Sequence, residues 1–131
     1  MRKKEQRLWD TMKRSAPKNV WLQRVENMVT EGMPDVLING HIWVELKAPA
    51  VPKKATTRLL GDEGLRQSQI NWHMKAQSMK NRTYILVRDE TSCLYLIDGY
   101  WADEINNWTA QQMAESSLAS KWDAVWDELL S

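Results

Sequence analysis

The sequence predicts an α/β domain: a central sheet with helices packed against it and a helical C-terminal extension. Three observations predict it. Short β-branched and aliphatic runs recur at 19–25, 36–38, 42–46, 83–88 and 93–97, the length and composition of strands. Stretches with apolar residues at helical spacing precede, interrupt and follow them. Asn39-Gly40 between two of the runs is a strong hairpin signal. At 131 residues the chain is sized for one domain. We divide it into an α/β core over residues 1–98 and the helical extension over 99–131.

Each element has its own reason. Residues 3–14 place Leu8, Trp9 and Met12 among charged residues, an amphipathic helix that lays one stripe on a sheet. Val20, Leu22 and Val25 mark the first strand. Pro34, which has no N–H for a ladder, suits a strand start, and Val36–Ile38 and Ile42–Leu46 flank the Asn39-Gly40 turn. Residues 48–64 hold Pro49, Pro52, Gly61 and Gly64 together with Lys53, Lys54 and Arg58. An irregular stretch of that length is commonly functional or disordered. A helix follows over 67–79 through Ile70, His73, Met74 and Gln77. Two further strands, 83–88 and 93–97, are separated by Asp-Glu-Thr-Ser. Trp122, Val125, Trp126, Leu129 and Leu130 then follow the spacing of a helical stripe, suited to a core or a dimer interface.

Composition excludes several classes. Hydrophobic content of 43% and charged content of 27% are those of a globular protein. No run approaches the ~18 apolar residues of a membrane span, and the charged N-terminus lacks an apolar h-region, so we expect a cytoplasmic protein without membrane contact. One cysteine and two histidines cannot assemble a structural zinc site. Net charge is only +1, but residues 1–82 carry 16 Lys and Arg against 8 Asp and Glu, and residues 83–131 carry 2 against 9. The basic part suggests a surface for a polyanion; the bland alternative is that the two parts neutralise each other across the fold.

The basic part also holds the most informative segment, Gly32-Met-Pro-Asp35 followed by Glu45-Leu-Lys47. Two carboxylates can hold a hard divalent cation, and a lysine two residues after the second shares its strand face and can meet a bound phosphate. A charge inside Ile42-Trp43-Val44-Glu45-Leu46 needs a reason. The structural alternative is an exposed Glu45–Lys47 pair, worth a few tenths of a kcal/mol. Gln69 and Trp72 follow as Gln-x-x-Trp at the start of the next helix.

This set resembles the PD-(D/E)xK nuclease superfamily, and the run G-x-PD, E-x-K, Q-x-x-W resembles its VRR-NUC branch. Arg24-Val25-Glu26-Asn27 is similar to the Arg-x-x-Ser segment that archaeal Holliday-junction resolvases place before their Pro-Asp. The resemblance covers about residues 5–90. It implies a restriction-endonuclease-like mixed sheet and an Mg²⁺-dependent DNA endonuclease, with Mn²⁺ able to substitute. Branched DNA such as a Holliday junction is the implied substrate; a nickase, a flap nuclease and a catalytically silent DNA-binding module are the alternatives. By resemblance, Asp35, Glu45 and the Leu46 carbonyl would ligate the cation, Lys47 would stabilise the transition state, and Gln69 would steady Lys47 or the attacking water. Glu5 or Glu26 would add a further metal-binding acid, with Asp10 competing for that role. Arg24, Lys53, Lys54, Arg58 and Arg66 are the candidate DNA contacts. Symmetric cutting of a junction implies a homodimer. A small stand-alone nuclease of this kind suits a phage or its host's cytosol.

The hairpin constrains this reading. A regular two-residue loop at Asn39-Gly40 would pair Ile38 with His41 and put Asp35 and Glu45 on opposite faces of the sheet, beyond the reach of one cation. We therefore expect an odd-length loop with Gly40 at positive φ, pairing Leu37 with His41 and Asp35 with Trp43 and leaving Glu45 diagonal to Asp35. His41 is expected to be an exposed turn residue. His73 either touches the site or is a satisfied helix histidine.

Overall fold

The computed structural model describes residues 3–25 and 31–131. Its elements are α1 (Lys3–Ser15), β1 (Leu22–Arg24), β2 (Val36–Ile38), β3 (Ile42–Lys47), α2 (Gln67–Ser78), β4 (Arg82–Arg88), β5 (Leu94–Asp98), α3 (Ala110–Ser116) and α4 (Trp122–Leu129), with 3₁₀ turns at Gly61–Glu63, Gly99–Trp101 and Ile105–Asn107. The five strands form one sheet in the order β1-β2-β3-β4-β5. All neighbours are antiparallel except β3 and β4. A parallel pair needs a long crossover, and residues 48–81, carrying α2, supply it. The mixed sheet flanked by helices is the predicted fold class.

Alternation along the strands builds two cores. Val36, Ile38, Ile42, Val44, Leu46, Tyr84, Leu86, Leu94 and Leu96 meet Leu8, Trp9 and Met12 of α1 and Val125, Trp126 and Leu129 of α4 on one side. Ile85, Val87 and Ile97 meet Leu59, Leu60, Leu65, Ala102, Ile105 and Met113 on the other. Full burial of each such side chain is worth about 1.5–3 kcal/mol. Trp126 also donates Nε1–H to Ser15 Oγ at 2.9 Å, fastening α4 to α1.

Several boundaries differ from the expectation. β1 begins at Leu22, because Asn19 turns at φ +71° and interrupts the extended run. Cys93 lies outside β5 and is exposed. Leu130 falls past the end of α4 and stays 38% exposed, so only Val125, Trp126 and Leu129 of that stripe are fully buried. The irregular stretch is anchored rather than loose, since Leu59, Leu60 and Leu65 enter the second core.

The hairpin loop is odd, as required, but its register is shifted. Ile38 pairs with Ile42 and Leu37 with Trp43, so Asn39, Gly40 and His41 form the connection. Asn39 and Gly40 both have positive φ, and His41 N–H closes the turn on the Ile38 carbonyl at 3.1 Å. The turn is thus tight, as Asn-Gly favours, yet the ladder resumes one residue late. The expected Leu37–His41 and Asp35–Trp43 pairs do not form. Extending the observed register by one step puts Asp35 directly opposite Glu45 instead of diagonal to it, on the same face.

Candidate active site

Trp43, Glu45 and Lys47 occupy the β3 face opposite Ile42, Val44 and Leu46, toward α2. Glu45 is 1% exposed and Lys47 8%. Gln69, in the first turn of α2, joins them: its Nε2 donates to Glu45 Oε2 at 3.2 Å and its Oε1 accepts from Lys47 Nζ at 3.3 Å. The Arg66 amide donates to the same Oε1 at 2.9 Å, which fixes the orientation of the Gln69 amide. Lys47 Nζ also reaches the Gly64 carbonyl at 3.4 Å. Asn106 pins that segment, accepting from Leu65 N–H at 2.7 Å and donating to the Leu65 carbonyl at 2.9 Å.

Asp35 faces this group from the position just before β2. Its Oδ2 accepts from the Leu46 amide at 2.8 Å. Arg24 Nη1 lies 3.3 Å from its Oδ1 and donates to its backbone carbonyl at 2.8 Å. Arg24 therefore braces Asp35, and its guanidinium also lies over the Trp9 ring. Gly32 explains the glycine before Pro-Asp. It has φ +80°, and a Cβ there would come within 2.1 Å of the Ser68 carbonyl, so only glycine lets this segment lie against the start of α2 beside Gln69.

The electrostatics are those of two crowded acids. Burial, then the neighbouring Asp35 carboxyl, pushes the Glu45 carboxyl well above the usual range, and the Lys47 ammonium offsets this only in part. Glu5 adds a further repulsive charge to that of Asp35. Glu45 Oε1 is buried without a donor. An acceptor left in that state is costly, and a cation between the two carboxyls would relieve it. Among the described residues no cluster of three or more His, Cys, Asp or Glu forms; the acids brought together here are Asp35 and Glu45. That composition suits Mg²⁺, which takes one or two carboxylates and fills its remaining positions with water and phosphate oxygens.

The other expected residues are dispersed. Glu26 lies outside the described residues. Asp10 is engaged on α1 with Gln6 and Lys13, while Glu5 acts on Glu45. The Leu46 amide is the group seen to contact Asp35. Lys53, Lys54, Arg58 and Arg66 are exposed. His41 is exposed at the turn. His73 is fully buried against Thr83, with Nδ1 3.0 Å from Oγ1 and Nε2 without a partner; burial lowers its pKa to about 4, so it is neutral at physiological pH. The sequence reading missed the positioning roles of Asn106, Gly32 and Arg24. A Gly-x-Pro-Asp run signals the second, but nothing in sequence ties Asn106 to a loop 41 residues away.

No family model matches the chain, and no curated protein is significantly similar to it. Among solved structures, the Holliday junction resolvase Hjc of the archaeal hyperthermophile Archaeoglobus fulgidus superposes with a TM-score of 0.55 over 94% of this chain and 96% of that one, at 11% identity. The two chains share a fold.

Proposed function

We propose that this protein is a divalent-cation-dependent DNA endonuclease of the PD-(D/E)xK superfamily that acts on branched DNA. The observation that carries the reading is the convergence of Asp35, Glu45, Lys47 and Gln69 at one end of β3, with both carboxyls on one sheet face. The fold shared with a junction resolvase supports it and directs the substrate toward four-way junctions. Gln69, bridging the acid and the lysine, gives the glutamine of the Gln-x-x-Trp pattern a physical role: it orients the site.

Asp35 and Glu45 would hold Mg²⁺ or Mn²⁺, which when bound lowers the pKa of a coordinated water and polarises a phosphoryl oxygen. Lys47, held by Gln69 and Gly64, presents a fixed positive charge to a phosphate at that face and offsets the charge that grows there during attack. Arg24 and the Leu46 amide keep Asp35 turned toward Glu45. Glu5 lies near enough to add negative charge around the cation. A module that only binds DNA has no use for two buried carboxylates facing a phosphate, which repel it. Two such chains about a two-fold axis would supply the two sites that symmetric resolution needs.

The test is incubation of the purified protein with end-labelled four-way junction, flap, nicked duplex and single strand, with Mg²⁺ or with chelator. Cation-dependent cutting with the junction preferred is expected. Absence of cleavage of every substrate under both Mg²⁺ and Mn²⁺ would contradict the proposal.

A further inference from the structure

Beside the acid pair lies an aromatic recess that hydrolysis does not use. Trp43 sits two residues before Glu45 on the same strand face, about 6.6 Å along β3. α2 runs back along the sheet from Gln69 at Glu45 to Gln77 at Thr83, so Trp72 comes over Trp43, with ring centroids 5.2 Å apart at 66°. Together with Lys75, Ala76, Met79 and Asn81 they line a cavity of about 240 Å³. Neither tryptophan belongs to either core, both are partly exposed, and Met79 is 66% exposed. Large apolar groups gathered open to solvent mark a binding surface.

We infer that this recess takes an unpaired nucleobase of the substrate strand, the one neighbouring the phosphate at Asp35 and Glu45. Three features select a base over a protein side chain. Trp43 in the wall of the recess lies two residues from Glu45 on the same strand face, so a nucleotide next to the attacked phosphate falls within reach. Its exposed charged group is Lys75, suited to a backbone phosphate, and Asn81 offers an amide to a base edge. Its walls are π-surfaces, which stack on any base without sequence preference. A base is available there only where the duplex opens, so the recess makes the enzyme select strands unpaired at the cutting point. The inference rests on the nuclease reading.

The experiment places 2-aminopurine next to the cleavage site in a junction and in a fully paired duplex, with the wild type, Trp72→Leu and Met79→Glu, in Ca²⁺ so that binding is read without turnover. Met79 lies at the exposed end of α2, so its replacement leaves the cores intact. Wild type is expected to quench the junction probe and leave the duplex probe unchanged. Both variants should lose the quenching and about tenfold or more of the junction-over-duplex affinity ratio. Cleavage in Mg²⁺ with probe emission and affinity ratio identical in wild type and variants would overturn the recess while leaving the nuclease reading intact. Variants that dissociate a wild-type dimer but keep the probe quenched would reassign the recess to a contact between copies. Failure of the wild type to bind or cut any DNA would remove both readings.

Discussion

On β3 the residues Ile42, Val44 and Leu46 point to one side of the sheet, and Trp43, Glu45 and Lys47 point to the other. The first three disappear among the apolar side chains of α1, α4 and their strand neighbours. The second three are also largely covered, but two are ionisable, and their partners are a glutamine, a carbonyl and a second acid. One strand thus stabilises the fold with one face and keeps a strained electrostatic arrangement on the other. The second face persists because the first, with the Ile85–Val87–Ile97 core beside it, holds the strands in place. Substitutions on the two faces should therefore separate stability from activity.

The largest effect is expected from Asp35→Asn, which keeps shape and removes a charge. Cleavage should fall by about 10³-fold or more, while junction binding persists or tightens because one fewer negative charge faces the phosphates. Wild-type turnover by this variant, measured on labelled junction, would dissociate Asp35 from the chemistry. On the other face, Leu86→Ala should do the reverse. It should cost about 2–5 kcal/mol in denaturant unfolding and leave the cleavage rate of the folded fraction near normal.

Glu45→Gln tests the cost of the charged face directly. Because the Glu45 carboxyl is raised, its contribution to stability is fully present below the ordinary carboxylate range and is lost as pH rises through the folded value. The variant should therefore unfold at higher denaturant than wild type at neutral pH, with the difference shrinking toward about pH 4, while its cleavage is lost. His73 has the opposite sign. Its folded pKa of about 4 lies below the ordinary 6.5, so its contribution is present above pH 6.5 and declines as pH falls toward 4. That decline should total about 3 kcal/mol at most and be absent from His73→Gln. Identical pH slopes for wild type and His73→Gln would show that the buried imidazole is not what couples stability to acid.

The smallest effect belongs to the exposed cations. Charge reversal at Lys53, Lys54 and Arg58 should weaken binding and flatten its dependence on log salt by about 0.9 for each phosphate left unneutralised. An unchanged slope would place the DNA elsewhere on the surface.

These faces were legible in sequence to unequal degrees. Strand alternation separates Ile42, Val44 and Leu46 from Glu45 and Lys47 without any tertiary information, and Gln69 follows at a helix start. The requirement that two acids share a cation was enough to demand an odd hairpin loop. It was not enough to fix the register, because the turn combines tight Asn-Gly geometry with an additional His41 that only the ladder reveals. Leu59, Leu60 and Leu65 show no period in an irregular segment, so their place in the core was invisible. Arg24 reads as a basic surface residue until the fold brings it to Asp35. Asn106 acts through backbone groups 41 residues earlier, a pairing that neither propensity nor pattern encodes.

The central claim is that Asp35 and Glu45 hold a divalent cation, and it can be tested without DNA. Thermal unfolding of wild type, Asp35→Asn and Glu45→Gln would be followed across a Mn²⁺ titration at constant ionic strength. Wild type should be stabilised progressively, by about 2.7 kcal/mol at a hundredfold excess over the dissociation constant. Neither variant should respond. Equal stabilisation of all three proteins, or none of the wild type, would contradict the account.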